Sequence, residues 1–302
     1  MPLRSNPRFT AVPDCVSDLS LARQPGGGRG LPAHLAFLRE RAGPGLAYAG
    51  ALPFGDARVD GCFPPQMGGL PLGALHEIGA EGRGAETGEL PAAFAATLIA
   101  GICGSLRGRG QAPVLWVATV PDLYPPGLPG LDPARLVLVN PRNEAGVLAA
   151  LEIALRAGGF AAVVGEVGAM DRVASRRLAF ACQKHGVTAF VLRRWPHGNR
   201  VPDRQASAAA TRWVLAPAPR LGPRLGPWGR WQVTLTHVRG GRGGSWLMEV
   251  PSDIDSARAG GKTVPVRVVA ALADHTITAP PDPRGSVADA RVAGNRQAAG
   301  DG

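Results

Sequence analysis

One stretch decides the fold: residues 68–88 read GGLPLGALHEIGAEGRGAETG. The segment LPLG predicts a turn that begins a short strand over residues 74–78, and a glycine-rich loop follows this strand. Apolar and small residues after the loop predict a helix over about residues 89–107. A strand, a glycine-rich loop and a helix in this order are typical of a phosphate-binding loop. Gly79 and Gly84 also have the spacing that such a loop requires.

The two positions after Gly84 lack the side chains that carry phosphate chemistry. A functional loop has lysine and then serine or threonine there, but this chain has Ala85 and Glu86. A carboxylate about 4 Å from a phosphate charge costs on the order of 4 kcal/mol at an effective dielectric of about 20. We therefore expect a degenerate loop that binds neither ATP nor another cofactor, with glycines that serve the backbone of a strand-to-helix turn. Nucleotide binding is the alternative.

Composition excludes several classes of protein. The 302 residues are 45% hydrophobic, enough for one large domain with appendages or two small ones. No apolar run is long enough to span a membrane, and no signal segment follows Met1. The four cysteines lack C-x-x-C spacing, which predicts a reducing cytoplasm without a zinc site or a disulfide framework. No histidine has a partner at metal-ligand spacing, and no G-x-S-x-G occurs, so we expect neither a metal site nor catalytic residues.

The net charge of +10 is distributed unevenly along the chain and suggests a polyanionic partner. Residues 196–250 contain eight arginines and two carboxylates, so most of the surplus lies in this segment. Codon bias in a GC-rich genome is the alternative explanation, since 31 of the 33 basic residues are arginine.

The chain divides into four ranges. Residues 1–30, rich in proline and glycine, predict a flexible tail. Residues 31–67 predict a short amphipathic helix followed by a linker, and residues 68–250 form the predicted core. Residues 251–302 predict a largely disordered tail, because large apolar residues are rare there outside Val264–Leu272.

Strands and helices alternate through the predicted core. Apolar strands are predicted at 114–120, 135–140, 161–165 and 187–192, and helices at 144–156 and 171–184. This alternation predicts an α/β fold with a mainly parallel sheet flanked by helices. After Arg194 the helical pattern stops, and further strands are predicted at 211–215, 231–238 and 245–250. We expect these strands to be antiparallel and to extend the sheet at its C-terminal edge.

Several motifs together resemble a known family. The string at 68–79 resembles the entry to the ATPase core of RecA-type recombinases, which implies a RecA-like fold. A closer resemblance within that superfamily is to the ImuA family, which shares the degenerate loop. The other shared motifs are AVVGEVG at 162–168, SRRL at 175–178, SAAATRW at 207–213 and RGGRGGSW at 239–246. The resemblance covers about residues 30–250.

The ImuA resemblance implies a function that no spacing in the chain shows by itself. It implies an accessory protein of DNA repair that acts in SOS mutagenesis, after DNA damage, as an adaptor for error-prone translesion synthesis. The implied partners are a Y-family polymerase-like protein and a second, replicative-type polymerase, with RecA and single-stranded DNA as further candidates. The implied location is the cytoplasm, at the nucleoid when DNA is damaged. The alternative is a divergent RecA-type protein that binds ATP or single-stranded DNA.

A RecA-type ATPase also needs an acidic residue at the end of the strand predicted at 161–165. The expected aspartate aligns with Gly165, and Glu166 comes one residue late, so we expect its side chain on the other face. A catalytic glutamate is missing after the strand at 114–120, where Asp122 is the nearest acid. These gaps predict a degenerate ATPase site without enzyme activity. Residual ATPase activity through Glu166 or Asp122 is the alternative.

One group of arginines is a candidate for DNA binding. Arg193 and Arg194 end the fifth strand, and Arg200 and Arg204 follow it. In RecA-type folds the loop after this strand faces single-stranded DNA, so the resemblance implies phosphate contacts there.

A second group surrounds a glycine-rich hairpin and is a candidate for binding a partner protein. It consists of Arg239, Arg242 and Trp246. Arginine and tryptophan are common hot-spot residues of protein interfaces. We expect this group to bind the polymerase-like partner, and a solvated, codon-biased surface is the alternative.

Overall fold

A computed structural model describes residues 50–81, 86–105, 112–194, 207–218, 230–251 and 263–272, without the side chains of 86–88. The predicted tail at 1–30 and the predicted helix after it lie outside these ranges. The described elements all belong to one unit, Met1–Leu272.

Four α-helices occur among the described residues. They are α1 (Ala57–Asp60), α2 (Glu86–Ser105), α3 (Glu144–Ala157) and α4 (Arg172–His185). The strands before α4 are β1 (Ala51–Leu52), β2 (Leu70–Pro71), β3 (Leu75–Ala80), β4 (Val114–Val117), β5 (Leu136–Val139) and β6 (Ala162–Val167). The strands after α4 are β7 (Thr188–Arg193), β8 (Thr211–Pro217), β9 (Arg230–Val238), β10 (Gly244–Glu249) and β11 (Arg267–Leu272).

Nine of these strands form one sheet in the order β11-β10-β9-β8-β3-β7-β6-β4-β5. The strands from β8 to β5 in this order run parallel. Beyond β8, the strands β9, β10 and β11 pair antiparallel. The predicted α/β fold class, a mainly parallel sheet flanked by helices with antiparallel strands at the C-terminal edge, is therefore confirmed.

The direction of β8 differs from the prediction. The sequence predicts all strands after Arg194 to be antiparallel, but β8 pairs in parallel with β3, with Thr211 opposite His76. A parallel neighbour needs a crossover of roughly a dozen or more residues. The chain from Arg194 to Ala210 is long enough to provide this crossover.

Helices cover both faces of the parallel strands. On one face, here the α2 face, Phe94 and Leu98 of α2 share a hydrophobic core with Trp116 and Val164. On the opposite face, here the α3–α4 face, a second core contains residues of α3 and α4, such as Leu151. Strands such as β4 are buried at every residue because both of their faces are covered.

Local signals set the ends of α3 and α4. The side chain of Asn143 accepts a hydrogen bond from the Gly146 amide, and that of Asp171 accepts one from the Ala174 amide. Gly186 ends α4 in the left-handed conformation that favours glycine. No helix among the described residues is long and apolar enough to cross a membrane.

Residues 50–67 belong to the core and are not a linker. Leu52, Phe54, Val59 and Phe63 are buried, and the ring centroids of Phe54 and Trp213 lie 5.6 Å apart. The predicted boundary between residues 67 and 68 is therefore corrected. The physical reason is that the apolar side chains of this short segment remove their surface from water against the α2 face.

The predicted tail from residue 251 contains a strand of the main sheet. β11 pairs antiparallel with β10, and Val264 and Val268 are buried. These valines complete the core on the α2 face, so the range 263–272 is corrected from tail to sheet edge. Residues 252–262 and 273–302 lie outside the described residues.

Candidate functional site

The glycine-rich loop is described only in part. Gly84, Ala85 and the side chain of Glu86 lie outside the described residues, although the backbone of Glu86 begins α2. Gly79 lies near the end of β3. A Cβ atom at Gly79 would lie 3.7 Å from Cβ of Arg193, which is an ordinary contact. The space around Gly79 would therefore accept a side chain.

The end of β6 places Gly165 and Glu166 on opposite faces of the sheet. Gly165 points to the α3–α4 face, where a Cβ atom would lie 2.4 Å from Cδ1 of the buried Leu151. Glu166 points to the α2 face and contacts Trp116 of that core. The alignment of a magnesium-binding aspartate with Gly165 is therefore corrected, since Glu166 is the residue on the side of the loop helix α2.

Glu166 is held by two donors from the protein itself. The residue is only 7% exposed. Nε1 of Trp116 donates to Oε1 at 2.8 Å, and Nη1 of Arg194 donates to Oε2 at 2.8 Å. Arg194 also donates to Asp122, from Nη1 to Oδ1 at 2.8 Å and from Nη2 to Oδ2 at 2.5 Å. We call the arrangement of Asp122, Arg194, Glu166 and Trp116 the arginine bridge.

The arginine bridge joins the ends of three neighbouring strands. Glu166 belongs to β6, Arg194 directly follows β7, and Asp122 lies in the loop after β4. In open α/β sheets, ligands bind at this carboxyl edge of the parallel strands. Hydrogen bonds from Arg194 lower the pKa of the Asp122 carboxyl, and hydrogen bonds to Asp122 and Glu166 raise the pKa of Arg194. Both Asp122 and Arg194 are thus held in their charged forms where a ligand is expected.

The residues of the bridge do not fit a magnesium–nucleotide complex. Magnesium needs oxygen ligands in a near-octahedral shell, but both oxygens of Glu166 already accept hydrogen bonds. Arg194 also places a positive charge between the two carboxylates that could attract the ion. Among the described residues, no group of three or more His, Cys, Asp or Glu side chains could hold a metal ion.

A small apolar cleft lies beside the bridge and shares Trp116 with it. The cleft has a volume of about 40 Å³, far below the roughly 300 to 1,000 Å³ of ligand pockets. It is lined by Trp116, Ala118, Val120, Pro121, Leu123, Leu138 and Asn140. The Asn140 amide donates to the Ala118 carbonyl oxygen at 3.0 Å and so holds the two strand ends together.

Arg193 is turned away from the surface. It is 8% exposed, its Nε lies 3.4 Å from Oε2 of Glu77, and its Nη1 donates to the Gly168 carbonyl oxygen at 3.4 Å. Its prediction as a DNA contact is corrected, because a buried guanidinium bound to a carboxylate cannot reach a phosphate. Arg194 is engaged in the bridge. Arg200 and Arg204 lie outside the described residues.

Two residues of the site have no sequence motif that indicates them. Trp116 lies within an ordinary apolar strand, and Glu77 lies in the middle of β3. For Glu77 a signal exists, since a carboxylate inside an apolar strand requires a buried cation. Arg193 is the buried cation that pairs with Glu77, and Nε of Arg212 also lies 3.5 Å from Oε2 of Glu77.

The three predicted partner contacts around the hairpin between β9 and β10 differ in their exposure to solvent. Trp246 is 2% exposed and points into the core on the α2 face, so its prediction as a surface anchor is corrected. The reason is the two-residue period of β10, which places Trp246 and Met248 on the inner side. Arg239 and Arg242 are exposed. Arg239 donates from Nη2 to the Ala208 carbonyl oxygen at 2.6 Å.

Comparisons with known proteins place this chain among its relatives. No family model matches it. A crystal structure of the RadB recombinase matches this structure with a TM-score of 0.40 and 16% identity, covering 64% of this chain and 91% of that chain. Two curated relatives from strains of Caulobacter vibrioides, both named Protein ImuA, are each 44% identical over 238 residues. The match covers 76% of this chain and 92% of each relative. The chain therefore belongs to the ImuA family.

Proposed function

We propose that the protein is a non-catalytic, RecA-like accessory protein of damage-induced mutagenesis. In this proposal it acts in the SOS response as an adaptor for error-prone translesion DNA polymerases, in the cytoplasm and at the damaged nucleoid. Membership of the ImuA family supports the cellular role. The arginine bridge supports the non-catalytic part and is the observation that carries it.

The bridge argues against ATP chemistry because it engages Glu166 and Asp122, the acids nearest to the aligned positions of the missing ATPase carboxylates. An ATPase of this architecture needs one acid to hold magnesium and another to orient water. Glu166 and Asp122 are the two acids that could take these roles in shifted positions, and both are bound by Arg194. Freeing either one breaks a charge-assisted hydrogen bond, and such bonds contribute about 1.5 to 3 kcal/mol each. A site that must first lose these contacts is poorly prepared for catalysis.

The proposed partners are a Y-family polymerase-like protein and a second, replicative-type error-prone polymerase, with RecA and single-stranded DNA as further candidates. Arg239 and Arg242 are exposed and keep their place as candidate contacts for a partner protein. Direct DNA binding through Arg193 and Arg194 is not favoured, since both guanidinium groups bind carboxylates. DNA binding would rest on arginines such as Arg204.

The adaptor role is tested by reconstitution. The two polymerases are mixed with and without the full chain, and the complexes are separated by size-exclusion chromatography. We expect a ternary complex that requires the chain and forms equally with or without ATP. A complex that forms without the chain would contradict the adaptor role, and one that requires ATP would contradict its independence of nucleotide.

The non-catalytic part is tested by phosphate release and by equilibrium binding of ATP with magnesium at millimolar nucleotide. We expect neither hydrolysis nor magnesium-dependent binding. Glu166→Gln provides the matched control, because it removes the charge of the only bridge carboxylate on β6 and keeps the shape of the side chain. Hydrolysis by the wild type that disappears in Glu166→Gln would show that Glu166 is a catalytic residue.

A further inference from the structure

The outer side of α4 carries an unusual pair of apolar residues. Val173 and Phe180 are 65% and 64% exposed. Among the described residues, the other exposed large apolar side chains are Tyr124, which is 72% exposed, and Val269, which is 39% exposed. Apolar side chains scattered singly over a surface are ordinary, but two on one face of one helix indicate an interaction surface.

Val173 and Phe180 lie on the same side of α4. They are seven residues apart, which is close to two helical turns and about 10.5 Å along the axis. The opposite side of α4 is buried, since Leu178 and Cys182 pack in the core of the α3–α4 face. The pair therefore points outward, away from the sheet, and lies in line along the helix.

Cations surround this pair. Arg172, Arg176, Arg177 and Lys184 are all exposed on α4, which has no carboxylate within its own range. We call Val173, Phe180 and these four cations the α4 stripe. A neighbouring acid, Glu152 of α3, binds Arg177 and also Arg156, whose Nη2 lies 2.6 Å from Oε1. Glu152 is therefore already neutralised, and the stripe keeps a net positive charge.

We propose that the α4 stripe binds an acidic amphipathic segment of a partner protein. Burying Val173 and Phe180 against apolar side chains of that segment would supply the affinity, because apolar surface is removed from water. The cations would pair with Asp or Glu on either side of the apolar line and fix its orientation. A helix with apolar residues spaced by seven would match the spacing of the stripe.

A protein partner fits the stripe better than a nucleic acid. Phosphates would pair with the cations, and a base could stack on Phe180. Val173 has no aromatic face, however, and nucleic-acid binding would leave its apolar surface without a partner. The proposal specifies only the chemistry of the bound segment and not the protein that carries it. It therefore does not depend on the polymerase partners proposed above.

The test uses a random-peptide display library selected on the immobilised full chain. We expect enriched peptides that combine Asp or Glu with Leu, Ile or Phe at helical spacing, and whose binding weakens as salt concentration rises. Phe180→Glu should weaken the binding of these peptides about tenfold or more. Tyr124→Ser is the matched control, because it removes another exposed aromatic side chain outside the stripe. It should leave peptide binding unchanged.

A second pair of variants tests how much the cations of the stripe contribute to peptide binding. Arg176→Gln in the stripe should weaken binding and reduce its salt dependence, whereas Arg142→Gln, an exposed arginine outside the stripe, should change neither. All four variants change exposed side chains, so their thermal melting curves should match that of the wild type.

Three results would overturn the proposal. The first is a set of enriched peptides without acidic residues, and the second is equal binding of the peptides by wild type and Phe180→Glu. The third is a failure to enrich peptides while a labelled oligo-dT binds the wild type and not Phe180→Glu, which would identify a nucleic-acid surface. None of these results affects the ternary-complex experiment, so failure of the stripe and failure of the adaptor role can be told apart.

Discussion

Nη1 of Arg194 lies 2.8 Å from Oε2 of Glu166 and joins the end of β7 to the end of β6 on the α2 face. The same guanidinium binds Asp122 after β4. An internal cation thus occupies the carboxyl edge of the sheet, where α/β proteins commonly bind ligands. Together with Trp116, it satisfies a buried carboxylate that would otherwise be strongly unfavourable.

The first prediction concerns Arg194. Arg194→Gln leaves the buried Glu166 without its cation, so we expect the free energy of unfolding to fall by about 3 kcal/mol. Urea denaturation monitored by tryptophan fluorescence measures this change. The matched control is Arg156→Gln, which removes an exposed arginine paired with Glu152 and should cost less than about 1 kcal/mol.

A double variant separates charge from packing at the bridge. The double variant, Arg194→Gln combined with Glu166→Gln, has no buried charge at position 166. It should therefore be more stable than the single variant Arg194→Gln. If the single and double variants are equally unstable, the bridge stabilises through the packing of Arg194 and not through its charge.

The second prediction concerns the hairpin. Trp246→Ala removes a buried side chain from the core, so it should lower the free energy of unfolding by about 3 to 5 kcal/mol. Arg242→Ala, four residues away and exposed, should change it by about 0.5 kcal/mol or less. Denaturant unfolding compares the two variants. A similar small effect of both would show that Trp246 lies on the surface.

The third prediction concerns the C-terminal edge strand. Truncation after Val250 removes β11 with the buried Val264 and Val268. Burial of a valine contributes roughly 1.5 to 3 kcal/mol, so we expect a loss of about 3 kcal/mol or more. Truncation after Leu272 is the control, since it keeps every described strand. Equal melting temperatures for the two truncations would show that β11 adds nothing to stability.

Local patterns in the sequence predict the parallel strands well, because a strand covered on both faces must be apolar throughout. They fail for β11, whose RVVAAL segment has few large side chains and lies in a Gly- and Ala-rich region. They also fail for the direction of β8, which depends on where the connection after Arg194 leads. Burial of Trp246 is different, since the alternation of Trp246 and Met248 in β10 already indicates a common inner side.

The arginine bridge is harder to predict than the strands. Asp122 and Arg194 are 72 residues apart, and their contact arises only because β4, β6 and β7 end side by side. A single sequence shows that ATPase side chains are missing from the aligned positions. Which residue then binds the remaining acids depends on side-chain geometry at the edge of the folded sheet.

The last prediction follows from a chain of hydrogen bonds through His76. Nε2 of His76 lies 2.9 Å from the Pro71 carbonyl oxygen, which can only accept, so Nε2 carries the proton. Nδ1 lies 2.8 Å from Oγ1 of Thr211, which itself accepts from Nε1 of Trp213 at 2.8 Å. Thr211 therefore donates its hydroxyl proton to Nδ1. This arrangement fits a neutral imidazole, and burial lowers the pKa of His76 to about 4.

Because the folded pKa lies below the ordinary value of 6.5, the unfolded chain binds a proton at His76 that the folded protein does not bind. The stabilisation is complete above pH 6.5 and is lost as the pH falls from 6.5 toward about 4. We expect this loss to reach about 3 kcal/mol across the window. Urea denaturation of wild type and His76→Gln over this range measures it, because other groups contribute equally to both proteins. The difference in unfolding free energy between them should shrink as the pH falls, and a constant difference would show that His76 titrates normally in the folded protein.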